Sequence, residues 1–80
     1  MTTDDLPMIN PSAEDLWHRL EGHRAARREP RTISMSPETW ERLSDHALAL
    51  RVSETELLFD KVPVRLYQGQ LGVAIAYTQR

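Results

Sequence analysis

Residues 31–62 read RTISMSPETWERLSDHALALRVSETELLFDKV. The first six alternate: Ile33 and Met35 fall on one side, and Thr32, Ser34 and Ser36 on the other, which is the period of a strand. Ser36 and Pro37 then open a helix, with a hydroxyl at the N-cap, proline at the first helical position, and Glu38 and Glu41 near the positive end. Trp40, Leu43, Ala47 and Leu50 recur at steps of three and four, and Leu48 widens that stripe, so the pattern predicts a helix over 36–50. The residues RVS interrupt it. Ser53, followed three residues later by Glu56, has the spacing of a capping box and predicts a second helix over 53–62. In that helix Leu57, Leu58 and Val62 are apolar, Phe59 sits on the flank, and Pro63 ends it.

A strand of this length is not stable alone. It needs a partner strand and something beneath its apolar face, and no partner is evident within 31–62. The simplest partner is the same strand from a second copy, paired antiparallel about a two-fold axis. Ile33 and Met35 of both copies would then cover Trp40, Leu43, Ala47, Leu57 and Leu58 as the dimer core. The other face of the ribbon would show Thr32 and Ser34 twice each. A two-stranded ribbon fits the major groove of B-DNA, where short hydroxyl side chains reach base edges.

The order strand, helix, short turn, capped helix in RTISMSPETWERLSDHALALRVSETELL resembles the ribbon-helix-helix DNA-binding proteins, the superfamily of the Arc, MetJ and CopG repressors. The likeness covers about 30 of the 80 residues. It implies a mainly α fold with one short strand: an intertwined homodimer whose intermolecular antiparallel ribbon places Thr32 and Ser34 against bases. It also implies that Ser53 and Glu54, at the start of the second helix, take a phosphate. Arg27, Arg28 and Arg31, just before the strand, would reach the flanking DNA backbone. The expected function is a sequence-specific transcriptional repressor, of the autoregulator or antitoxin type. The alternatives are a protein-interaction module or antitoxin whose terminal segments bind a partner, and an accessory protein in plasmid transfer or partition.

Outside the matched segment, residues 1–11 are polar and acidic with Pro7 and Pro11 as breakers, and read as a disordered arm. Residues 12–29 read as a helix with Ser12 as N-cap, a narrow stripe of Leu16, Trp17 and Leu20, and a basic end. Residues 30–62 form the expected core and 63–80 an extension. In that extension Val64 and Leu66 alternate, as do Leu71, Val73, Ile75 and Tyr77. The first reading is a hairpin turning at QGQ, and the second is a short helix over 71–79. Trp17, Leu71 and Tyr77 are the candidate contacts for a partner protein such as a toxin.

Composition narrows the field. The formal net charge of -2 argues against non-specific coating of nucleic acid, yet residues 17–31 hold five arginines against Glu21 and Glu29. There is no cysteine, which excludes disulfides and thiolate metal sites. His18, His23 and His46 do not have the spacing of paired metal ligands on a helix, so neither a metal nor a cofactor is expected. No spacing suggests a catalytic triad and no glycine-rich phosphate loop is present, so an enzyme is not expected. No apolar run approaches the ~20 residues that span a bilayer, and the start MTTDDLPMIN lacks the apolar segment of a signal peptide. The expectation is a cytoplasmic protein without membrane contact.

Overall fold

A computed structural model describes residues 2–5, 11–53, 56–67 and 72–79. In chain order the elements are β1 (Thr2–Asp5), α1 (Ala13–Ala25), β2 (Arg28–Met35), α2 (Pro37–Leu43), β3 (Ala49–Arg51), β4 (Leu57–Phe59), β5 (Val62–Leu66) and β6 (Val73–Gln79). The strands form one six-stranded sheet in the order β1-β6-β2-β5-β4-β3. β2 and β5 are parallel, and the other neighbours are antiparallel. This mixed sheet with two helices replaces the mainly α dimer expected from the sequence.

The alternation of residues 31–36 does make a strand, and Ile33 and Met35 are fully buried. Its partners come from the same chain. Ile33 pairs with Ile75 of β6 on one side and with Val64 of β5 on the other. β2 is therefore interior, with no free edge from Ile33 onward to pair with a second copy. The intermolecular ribbon is excluded for that reason. Arg31 is the extra residue of a bulge: Pro30 pairs with Tyr77 and Thr32 with Ala76.

The helix expected over 36–50 stops at Leu43. Its start is as expected, with the Ser36 hydroxyl accepting from the Thr39 N–H at 3.3 Å and Pro37 in the first turn. Trp40 and Leu43 are buried, but the stripe fails beyond them, with Ala47 and Leu50 exposed. The chain turns instead, and the Leu48 N–H donates to His46 Nδ1 at 3.1 Å.

The helix expected over 53–62 is absent. The Val52 and Ser53 N–H groups both donate to the Glu56 carbonyl, at 3.0 and 3.2 Å, which turns β3 back into β4. β4 and β5 then form a hairpin closed by the Phe59–Val62 pair. Its two loop residues, Asp60 (φ 50°) and Lys61 (φ 69°), are both left-handed, as the right-handed twist of the flanking strands demands of a two-residue turn. Leu57 and Phe59 alternate inward across this turn with Val62 and Val64.

The termini also depart from expectation. Part of the N-terminal arm is strand, since Thr2–Asp5 pair with β6. The extension supplies two strands, as the first reading had it, but β2 lies between them and they do not form a hairpin. The helix expected over 12–29 begins as expected in a capping box. The Ser12 hydroxyl accepts from the Asp15 N–H, and the Ser12 N–H donates to the Asp15 carboxylate, each at 3.1 Å. It ends at Ala25, because Arg27 adopts φ 60° and turns the chain into β2.

Both helices lie on one face of the sheet. Leu16 and Leu20 of α1 and Trp40 and Leu43 of α2 share a single core with Ile33, Met35, Leu57, Phe59, Val64, Val73 and Ile75. Each large apolar side chain so buried contributes about 1.5–3 kcal/mol. Among the described residues no helix lies over the opposite face. Thr32 and Ser34 lie there beside Ala76 and Ala74, Ser34 is flanked on its other side by Arg65, and toward β3 the face becomes apolar.

Candidate protein-interaction surface

Two strands of unequal length create the main surface feature. The β4–β5 ladder ends at Leu57 opposite Val64. β5 continues through Arg65 and Leu66, paired there with Ser34 and Met35 of β2. On the other flank of Arg65 and Leu66 no strand lies among the described residues. The result is a groove of about 760 Å³ whose walls include Val52, Leu58, Pro63, Leu66 and Tyr67, with Glu56 and Arg65 as its charged members.

Large apolar residues gather at this corner. Of the five left exposed among the described residues, three line the groove: Val52 (57 %), Tyr67 (49 %) and Leu66 (43 %). The register adds an apolar row beside the groove. Leu50 lies opposite Leu58, and Leu58 opposite Pro63, so three apolar side chains form a row across β3, β4 and β5 on the uncovered face. β3 is also the last strand of the sheet, with one edge unpaired among the described residues. Exposed apolar residues are common singly, but a contiguous group beside a groove marks an interaction site.

The residues singled out in the sequence are scattered by this fold. Thr32 and Ser34 do point away from the core, but from the middle of a six-stranded sheet. Such a sheet spans well beyond the roughly 12 Å width of a major groove, given a strand spacing of about 4.8 Å. Ile33, Met35, Trp40, Leu43 and Leu57, expected at a dimer interface, are buried within one chain. Ala47 is exposed, and Leu58 is half-buried on the uncovered face. Ser53 is exposed in the β3–β4 turn. Glu54 and Leu71 lie outside the described residues. Trp17 is 37 % exposed on α1, its ring 5.0 Å from that of His18. Tyr77 faces inward, its ring centre 4.6 Å from that of His23 and tilted against it. Val52, Leu66 and Tyr67 were missed as a group because Val52 was read as a helix boundary. Leu66 and Tyr67 belong to the apolar, weakly charged C-terminal segment already marked for partner binding.

The arginines separate. Arg31, on the bulge, donates to Thr78 Oγ1 at 3.0 Å and pairs with Glu29 at 3.2 Å. Arg27 and Arg28 stand with Arg24 around a second pocket, of about 310 Å³, where α1 meets β2. Arg24 is fixed there by the Asp60 carboxylate, by the Asp60 carbonyl at 2.9 Å, and by Glu21 at 2.9 Å. Partial burial works against its charge, but the two acidic partners outweigh that and raise its pKa above the ordinary arginine value.

Among the described residues no group of three or more His, Asp or Glu is placed to hold a metal ion. His23 and Asp4 meet at 2.7 Å, but His23 is sealed in the core and lines neither pocket described here. Among the described residues no helix is long and apolar enough to cross a membrane. No family model, curated protein or solved structure matches the chain.

Proposed function

We propose that this chain is a protein-interaction module without catalytic activity, and that its docking surface is the β3–β4–β5 corner. The observation that carries the reading is the grouping of Val52, Leu66 and Tyr67 around the groove where β5 outruns β4. The occupant is an extended, mainly apolar segment of another polypeptide. An extended chain can align with the flank of β5 at Arg65–Leu66 and place alternate side chains in the groove, as in β-strand addition. The charged lining of one Arg65 and one Glu56 favours an apolar segment over a strongly charged one. The role of DNA reader by a dimeric ribbon is not carried forward, since β2 is flanked by strands of its own chain on both sides from Ile33 to Met35.

The test is selection from a random peptide library displayed on phage, followed by affinity measurements. Enriched peptides should alternate apolar with polar residues. They should lose about tenfold or more in affinity with Leu66→Asp and keep it with Trp17→Ser. Peptides that ignore Leu66→Asp and depend on Trp17 would move the surface to α1 and sink this assignment.

A further inference from the structure

The pocket between the end of α1 and the start of β2 has a chemistry unlike that of the corner groove. It is lined by Arg24, Arg27, Arg28, Glu29 and Pro30. We propose that it binds an oxyanion of the phosphate class, independently of the docking surface described above.

Three arginines converge on a space of about 310 Å³, and two of them are held in place. Arg24 is anchored by Asp60 and Glu21. The Arg28 guanidinium lies 5.3 Å from the centre of the Tyr77 ring, and His23 braces that ring from within the core. Arg28 Nε is buried and has no hydrogen-bond partner among the described residues. A buried donor of this kind destabilises the fold unless something accepts from it. Arg27 forms no ion pair among the described residues, and its backbone is left-handed at φ 60°. That conformation is unfavourable for a side chain with a Cβ, and strain of this sort accumulates at binding sites.

Two competing uses of these cations are already accounted for. Arginines at a helix C-terminus often cap its free carbonyls. Here the carbonyls of Gly22, His23 and Arg24 accept instead from the Ala26 and Arg27 N–H groups, at 3.0–3.1 Å. Glu29 lines the pocket too, but its carboxylate pairs with Arg31 at 3.2 Å. Arg27 and Arg28 therefore keep forked donors for an incoming anion, and guanidinium groups match phosphate oxygens two at a time.

The experiment is a titration of the full chain with inorganic phosphate at constant ionic strength, read by NMR at the arginine Nε–H signals. The expected result is saturable shifts at Arg24, Arg27 and Arg28 with Arg51 and Arg65 unmoved, and affinity reduced about fivefold or more by Arg27→Gly and by Arg28→Gln. Arg27→Gly relieves the left-handed strain, so lost binding in that variant cannot be ascribed to unfolding. Free phosphoserine distinguishes the source of the anion: tighter binding than phosphate assigns an esterified group, and equal or weaker binding assigns the free ion. Shifts that rise linearly, spread equally to Arg51 and Arg65, or persist in Arg27→Gly would overturn the site. So would a single-stranded oligonucleotide that saturates these arginines where phosphate does not, since that assigns a nucleic-acid backbone instead.

Discussion

His23 Nε2 and Asp4 Oδ2 lie 2.7 Å apart and tie the edge strand β1 to the inner side of α1. His23 is only 1 % exposed, and its Nδ1 has no partner among the described residues. The bond to Asp4 is thus the hydrogen bond seen for a buried ring. Asp4→Ala should destabilise the protein by about 1–3 kcal/mol, the range for orphaning a buried polar group. Amide exchange should accelerate first in β1, which joins the sheet through β6 alone. Unchanged stability would mean that Asp4 does not hold His23.

The β4–β5 turn offers a gain. Lys61 sits at φ 69° with no glycine to accommodate it. Lys61→Gly should stabilise the protein by about 1 kcal/mol, the order of the left-handed penalty for a residue with a Cβ. Chemical denaturation measures this as a raised midpoint at constant slope. A lowered midpoint would argue against a two-residue left-handed turn.

Leu58 and Phe59 separate the observed fold from the helical one. On a helix over 53–62, Leu58 belongs to the core and Phe59 to its flank. In the sheet, Phe59 is fully buried and Leu58 lies on the uncovered face. Phe59→Ala should therefore destabilise by about 3–5 kcal/mol, and Leu58→Ser by about 1 kcal/mol or less. The reverse ranking would restore the helix.

Asp15 carries a pH signature. The Ser12 backbone N–H, then the Ser12 hydroxyl, hold its carboxylate below the ordinary aspartate value of 3.8. A depressed pKa means that the ionised form is favoured by the fold. The stability it contributes is full above 3.8 and is lost as pH falls through the lowered value. The gap in stability between the wild type and Asp15→Asn should hold at neutral pH and narrow below 3.8. A gap independent of pH would remove the capping box as its source.

Local chemistry was legible in the sequence and pairing was not. Ser12, Ser36 and Pro37 marked the two helix starts, because caps are set by residues close in the chain. The inward alternation of Ile33 and Met35 was likewise readable. What failed was the choice between periods in short apolar runs. Leu57, Leu58 and Val62 fit one helical face, while Leu57, Phe59, Val62 and Val64 fit two strands around a turn. Only the second lets Asp60 and Lys61 form a turn whose carboxylate meets Arg24, 36 residues earlier. The partners of β2 lie still further along the chain, at Val64 and Ile75, and nothing within residues 31–36 specifies them. The apolar corner was hidden for the same reason, since Val52 and Leu66 line one groove only once β3, β4 and β5 are laid side by side.

The central claim is that a partner docks beside β5. The most direct measurement is isotope-edited NMR of the labelled protein bound to an unlabelled peptide selected from the library. The account predicts cross-strand contacts from the peptide backbone to the Leu66 amide, and side-chain contacts to Val52 and Tyr67. Contacts confined to α1 around Trp17, or to the arginines at the start of β2, would contradict it.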